Sequence, residues 1–353
     1  MFQPTEKPRL FGIPSGVDFA QSVIDGLVEK SHALPPEEFA RTRIFVNTSR
    51  MQRRLRDVFD AGPARLLPHV QLITDLAMEP AVLGLAPPVS SLRRRLELSQ
   101  LVAKLLEQEP DLAPRAALYD LSDSLASLMD EMQGEGVPPE TIRDLDVSDQ
   151  SGHWDRALKF LSIITPYFDP NETAPDKESR QRLVIETLDA TWSETPPQTP
   201  IIVAGSTGSR GATALLMKAV ANLPQGAVIL PGYDFDLPAS VWTAMEGAKG
   251  GEDHPQYRFR KLMDLMDLTP TDIAPWSNDA PQYPGRNALV SLALRPAPVT
   301  DQWLRDGPKL GDLLEATKDI TLVEAASPRA EAEAIALRLR QAVDDGITAA
   351  LIT

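Results

Sequence analysis

Short apolar runs that each lead through a tight turn into a helical pattern constrain this chain most. Arg9-Leu-Phe-Gly-Ile13 is followed by Pro14-Ser15-Gly16 and by Asp18, which can cap a helix. In that helix Phe19, Val23, Ile24, Leu27 and Val28 recur at helical spacing. Arg43-Ile-Phe-Val-Asn47 is a second such run, and Thr48 or Ser49 caps a helix reaching about Phe59. Ile201–Ala204 and Ala227–Leu230 flank a helical pattern at 210–222. Strand–turn–helix repeated with short loops predicts an α/β fold with a parallel sheet.

Between about 85 and 195 the pattern changes. Residues 91–108, 115–133, 153–168 and 177–193 read as helices without strand signals, the last after the polar loop Asn171–Asp176. Thr195-Pro-Pro-Gln-Thr-Pro200 reads as a stiff linker. A helical insertion inside one α/β domain accounts for this order. Residues 255–268, 284–294 and 300–315 read as helical, and 320–325, 328–344 and 347–352 as strand–helix–strand, opening another α/β domain. The chain stops on that last strand, which predicts a fragment of a longer protein. Length agrees with two domains: 353 residues at roughly 150 per domain.

Thirty-five basic against fifty acidic side chains give a formal net charge of −15. That field argues against coating nucleic acid or anionic membrane over the whole surface, though a local basic track survives the argument. Cysteine is absent, which removes disulfides, thiolate nucleophiles and thiolate-held metal from this chain and fits a reducing, cytoplasmic compartment. The four histidines, His32, His69, His153 and His254, show no ligand spacing, so no metal site and no catalytic residue are expected. No apolar run approaches membrane-spanning length, and the amino terminus lacks the apolar segment of a signal peptide.

The first strand–helix turn is where a phosphate-binding loop would lie. G-x-x-x-x-G-K-[ST] needs glycines, a lysine for the phosphates and a hydroxyl for magnesium. Counting from Gly12, through Ser15 and Gly16, the second glycine's place holds Val17, the lysine's Asp18 and the hydroxyl's Phe19. A carboxylate aimed at a triphosphate repels it, so the turn is either a degenerate nucleotide loop or a plain corner. Gly205-Ser206-Thr207-Gly208-Ser-Arg-Gly211 is a second glycine-rich turn, but its spacing is G-x-x-G-x-x-G, and no acid ends the next strand. Asp234-Phe-Asp236 reads as turn acceptors or as a metal pair.

Residues 41–56 carry six arginines and no acid. Asn47, Thr48 and Ser49 lie at a helix start, where free amides favour an oxyanion such as phosphate; Arg50, Arg53, Arg54 and Arg56 follow. A solvated face paired to acids elsewhere is the plainer account. Arg93-Arg94-Arg95 reads as a helix end or a second anion contact. Residues 120–149 hold nine acids against Arg143 alone, a stretch expected to face away from DNA, towards a protein. The five tryptophans are too dispersed for base stacking and read as packing residues.

The ordered motifs FGIPSGVDF, RIFVNTSRMQRRLRDVFDAGPARLLP, PIIVAGSTGSRGATALLMKAVANLPQGAVILPG, HPQY at 254–257 and EAASPRAEAEAIALRLR resemble the amino-terminal part of the AddB family. These are alphaproteobacterial-type subunits of the AddAB helicase–nuclease, which processes double-strand DNA breaks. The resemblance spans essentially the whole chain. It implies a first RecA-like domain, of the superfamily 1 helicase kind, over 1–84 and 197–300, with a helical insertion at 85–196. Residues 301–353 would be a connector and the start of a second RecA-like domain. It further implies that Asn47, Thr48, Ser49 and Arg50 fall where an active helicase touches single-stranded DNA phosphates. Gly12–Phe19 and Gly205–Thr207 would fall where its two ATPase motifs lie, with ATPase function lost. The motor would belong to an AddA-type partner subunit. The family's nuclease and cysteine-held iron–sulfur cluster would lie beyond these residues, leaving this chain without a cofactor. An interaction scaffold for the motor subunit and a nucleotide-binding α/β enzyme are the rival expectations.

Overall fold

The computed structural model describes residues 1–144, 151–169, 174–246 and 251–352, the side chains of 143 and 151–156 excepted. The side chains of Arg143, His153 and Trp154, residues 145–149 of the acidic stretch and the loop residues 171–173 therefore lie outside this description. Six strands form one sheet: β1 (Leu10–Ile13), β2 (Arg43–Val46), β3 (His69–Leu72), β4 (Ile201–Ala204), β5 (Gly226–Pro231) and β6 (Ala274–Pro275), ordered β3-β2-β4-β5-β1-β6. Every pairing is parallel, with Leu10 opposite Val228 and Arg43 opposite Ile201. The central strands are buried on both faces, as parallel sheets must be when helices cover both sides.

Side chains alternate between two cores because the strand period is two. Ile44, Val46, Ile202, Ala204, Ala227 and Ile229 face α1 (Phe19–Lys30) and α3 (Ser49–Ala61). Phe45, Ile201, Val203, Val228 and Leu230 face α9 (Gly211–Asn222), α10 (Ala239–Ala244), α11 (Tyr257–Leu265) and α8 (Lys177–Glu194). The short α2 (Pro36–Ala40) leads into β2. Trp276 closes the first core; it is fully buried, donates Nε1–H to Val23 O at 3.0 Å, and leaves no room for a Cβ at Gly26. Trp192 and Trp242 are also core residues, whereas Trp303 is half exposed.

The helical stretch comprises α4 (Ser91–Gln108), α5 (Leu118–Glu135), α6 (Pro139–Arg143), α7 (Ser151–Ile164) and α8. Leu98, Val102, Leu125, Met129, Leu161 and Ile164 give α4, α5 and α7 a core of their own, while α8 contributes Val184, Ile185 and Leu188 to the sheet's core. α8 is therefore the element that fastens the stretch to the sheet. Arg94 and Asp176 form a buried ion pair at 2.8 Å, joined by Glu97, the Ala174 carbonyl and the Tyr167 ring.

Downstream lie α12 (Pro284–Ala293), α13 (Gln302–Asp306), α14 (Leu313–Ala316) and α15 (Pro328–Asp344). The continuous helix expected over 300–315 is broken into short pieces by Gly307-Pro308 and Gly311, with Asp312 restarting the chain as a cap. The strands expected at 320–325 and 347–352 do not form within the described residues. A strand is defined by its ladder partner, and neither segment has one; Ile320, Leu322, Val323, Ile347 and Leu351 are exposed. Among the described residues no helix is long and apolar enough to cross a membrane.

Candidate functional site

In an open parallel sheet, ligands gather beyond the carboxyl ends of the strands, where neighbouring connections leave for opposite faces. Two such points involve the turns singled out in sequence. β2 leads to α3 on one face and its neighbour β4 to α9 on the other; β1 leads to α1 and its neighbour β5 to α10.

The point between β2 and β4 is filled. Phe19 lies against Gly205, whose added Cβ would stand 3.2 Å from the Phe19 ring and 4.0 Å from Met51 Cε. Gly205 has φ +78°, and the buried Ser206 hydroxyl accepts the Gly208 amide at 3.2 Å, while Thr207 is exposed. The start of α9 is occupied by a carboxylate from the helical stretch: Gly211 N–H donates to Glu135 Oε1 at 2.9 Å. A phosphate at that helix end would have to displace Glu135. Asp18, in the lysine's place, accepts from Gln21 N–H to cap α1 and pairs with Arg54 at 2.6 Å. Burial raises its carboxyl, but the Arg54 and backbone hydrogen bonds outweigh this and hold it below its usual value.

α3 opens differently. Thr48 caps it through its hydroxyl, which accepts Met51 N–H, and Asn47, Thr48, Ser49, Arg50 and Arg53 are all exposed. Arg50 and Arg53 make no hydrogen bond or ion pair with the described residues. Arg54 is engaged with Asp18, Arg56 with the Val70 carbonyl, and Arg43 with Glu79 and Gln71. The track thus divides into three structural arginines and three that are free among the described residues, Arg50 and Arg53 on α3 and Arg41 before β2, a division that spacing alone does not show.

Arg93, Arg94 and Arg95 all pair with acids: Glu97, Asp176 and Asp123 respectively. Arg94 is buried structure, while Arg93 and Arg95 pair with their acids on the exposed surface at the helix start. Asp234 Oδ1 accepts the Asp236 amide at 2.9 Å, the turn-acceptor reading of that motif, and no metal-holding group of three His, Cys, Asp or Glu is found among the described residues.

The point between β1 and β5 holds a cavity of about 660 Å³ that sequence reasoning missed. Ser15 and Gly16 line it from β1, Gly232–Asp236 from β5, and Asp279–Pro281 from beyond β6. Gly12 lets Tyr233 and Phe235 close in, since a Cβ there would stand 2.7 Å from Tyr233 Cβ. Gln256, from the HPQY motif, clamps the loop by donating to Gly232 O and accepting from Asp234 N–H. Burial, then the Asp234 charge, raise both the Tyr233 hydroxyl and the Asp236 carboxyl; burial, then Arg295, lower His254. Of the residues singled out in sequence, Ser15 and Gly16 of the first turn, the Tyr233-Asp-Phe-Asp236 turn and the HPQY run meet here.

Fold and site together define an α/β protein with a wholly parallel six-stranded sheet, a helical insertion, one plugged crevice and one open one. Comparison with protein-family models and with curated proteins finds no match.

Proposed function

We propose that the chain is a helicase-like α/β module without ATPase function that holds DNA through phosphate contacts, as the AddB resemblance implies, in a break-processing complex whose motor is an AddA-type subunit. One observation carries this reading. Three long helices start at the carboxyl edge of β1, β2 and β4. Two are closed by carboxylates, Asp18 on α1 and Glu135 on α9. The third, α3, is closed by the Thr48 hydroxyl and has Arg50 and Arg53 exposed beside it. Cations in a first turn oppose the helix dipole, a cost that an incoming phosphate reverses. The plugged crevice beside Gly205 supports the loss of nucleotide binding.

Arg50→Ala/Arg53→Ala, which spares the Asp18–Arg54 pair, tests the reading. Fluorescence anisotropy with a labelled single strand at stepwise salt should show weaker binding at all sequences. The log–log salt slope should fall by about 0.7 for each phosphate the variant no longer neutralises. Unchanged affinity and slope would sink the proposal. The scaffold reading keeps support from α5, where Asp120, Asp130 and Glu131 are exposed and make no hydrogen bond with the described residues.

A further inference from the structure

The sheet ends in two edge strands, β3 and β6. An edge that offers bare N–H and C=O groups is a template for another chain. β6 is blunt: it is two residues long, and Pro275 has no N–H to give. β3 is longer, and its register says which of its groups point outward. His69 lies opposite Arg43, and its N–H donates to Thr42 O at 2.8 Å. Alternate residues of a parallel strand bond to the same neighbour. His69 and Gln71 therefore serve β2, while Val70 and Leu72 turn their backbone groups away from the sheet.

Side chains from two other places occupy those outward groups. Gln52 Nε2 donates to Val70 O at 2.8 Å, and Arg56 Nη2 donates to the same carbonyl at 3.3 Å. Gln52 and Arg56 stand four residues apart on α3 and so share a face. From the turn after β3, Asp75 Oδ2 accepts Leu72 N–H at 2.8 Å. All three side chains line a groove of about 580 Å³ that runs beside the strand with Leu67 and His69. Gln52 and Asp75 are half-buried and Arg56 is exposed. No helix or loop lies over the edge in that groove; side-chain hydrogen bonds alone close it.

We propose that Gln52, Arg56 and Asp75 form a latch that keeps β3 from pairing with the β3 of a second copy. Two such edges can meet antiparallel about a twofold axis centred on Gln71. Val70 of one copy then faces Leu72 of the other, and the Leu72 N–H donates to the Val70 carbonyl. Those are the two groups that the latch holds, so the same atoms that would join two copies are spent within one. Because β6 stays blunt, pairing through β3 stops at two copies. The phosphate reading is independent of this device, since Arg50 and Arg53 take no part in it.

Light scattering on the full chain, from micromolar to hundreds of micromolar, tests the latch in Gln52→Ala/Arg56→Ala/Asp75→Ala. The variant's mass should rise to twice the parent's as concentration rises. Hydrogen exchange at the Val70 and Leu72 amides should be slower in the concentrated variant than in the dilute one. A variant with the parent's circular dichroism that keeps the parent's mass throughout would overturn the proposal. So would masses beyond twice the parent's, or association that leaves those two amides exchanging at the dilute rate. Gln52→Ala/Arg56→Ala leaves the Asp75 turn intact and is read in place of the triple variant if that one does not fold. It should dimerise at higher concentration, and a mass equal to the parent's throughout would overturn the proposal equally.

Discussion

At the scale of single residues, the acids of this protein divide by what they touch. Asp272 accepts from Lys7 Nζ at 2.6 Å and from the Thr269 amide and hydroxyl, and these hydrogen bonds, led by Lys7, bring its carboxyl down to about 2. Its folded value lies below the unfolded one, so its contribution to stability is present above the ordinary carboxylate range and is lost as pH falls through about 2. A carbon-13 NMR titration should place the midpoint there, and Lys7→Ala should move it up; a midpoint unmoved by that change would show that Lys7 is not the main cause. Asp18 and Arg54 belong to the same class of pairing. Their ion pair is why Arg54, legible as one more basic residue in the track, acts as structure, while Arg50 and Arg53 stay free.

At the scale of elements, the junction between α5 and α9 adds a second tie, beside the α8 packing, between the helical stretch and the sheet. Glu135 is the last residue of α5, and Gly136 ends that helix at φ +72°, with an added Cβ 2.4 Å from the Arg182 guanidinium. The helix end is thereby aimed so that the Glu135 carboxylate meets the Gly211 amide and complements the α9 dipole. Glu135→Ala should cost about 1 kcal/mol, the usual worth of a cap, read as a lower midpoint in urea unfolding. A midpoint equal to the parent's would mean that water replaces the carboxylate at no cost. The helices α4, α8 and α9 were legible almost to the residue because their apolar spacing is long and regular. β3 and β6 were not, since His69–Leu72 is a half-polar edge strand and Ala274–Pro275 an exposed edge strand of two residues, and the only strand signal of each is the neighbour it pairs with.

At the scale of the whole molecule, the charge of −15 is an average over unlike surfaces. The carboxyl edge carries Arg50 and Arg53 at one crevice and the three cavity carboxylates at the other. α5 presents Asp120, Asp130 and Glu131 on the insertion, with Asp123 tied to Arg95. Burial, then Asp176 and Glu178, raise the Asp130 carboxyl, so a basic partner surface would relieve this cluster. Charge reversal at Asp120, Asp130 and Glu131 should therefore weaken co-purification with an AddA-type motor subunit if the scaffold reading holds; undiminished assembly would count against it.

The order of residue types was enough to specify the parallel α/β core, because short continuous apolar runs followed by capped helices admit few other arrangements. It also located the arginine track and the departures from a working phosphate loop, which are matters of residue type. Packing in three dimensions was needed to show which arginines are free, what occupies the start of α9, and that Tyr233, Asp236 and His254 share a cavity with Ser15. Those facts depend on side chains far apart in the chain meeting at one sheet edge. Local patterns encode how a segment folds; which distant carboxylate reaches a given amide or guanidinium is settled when the layers pack.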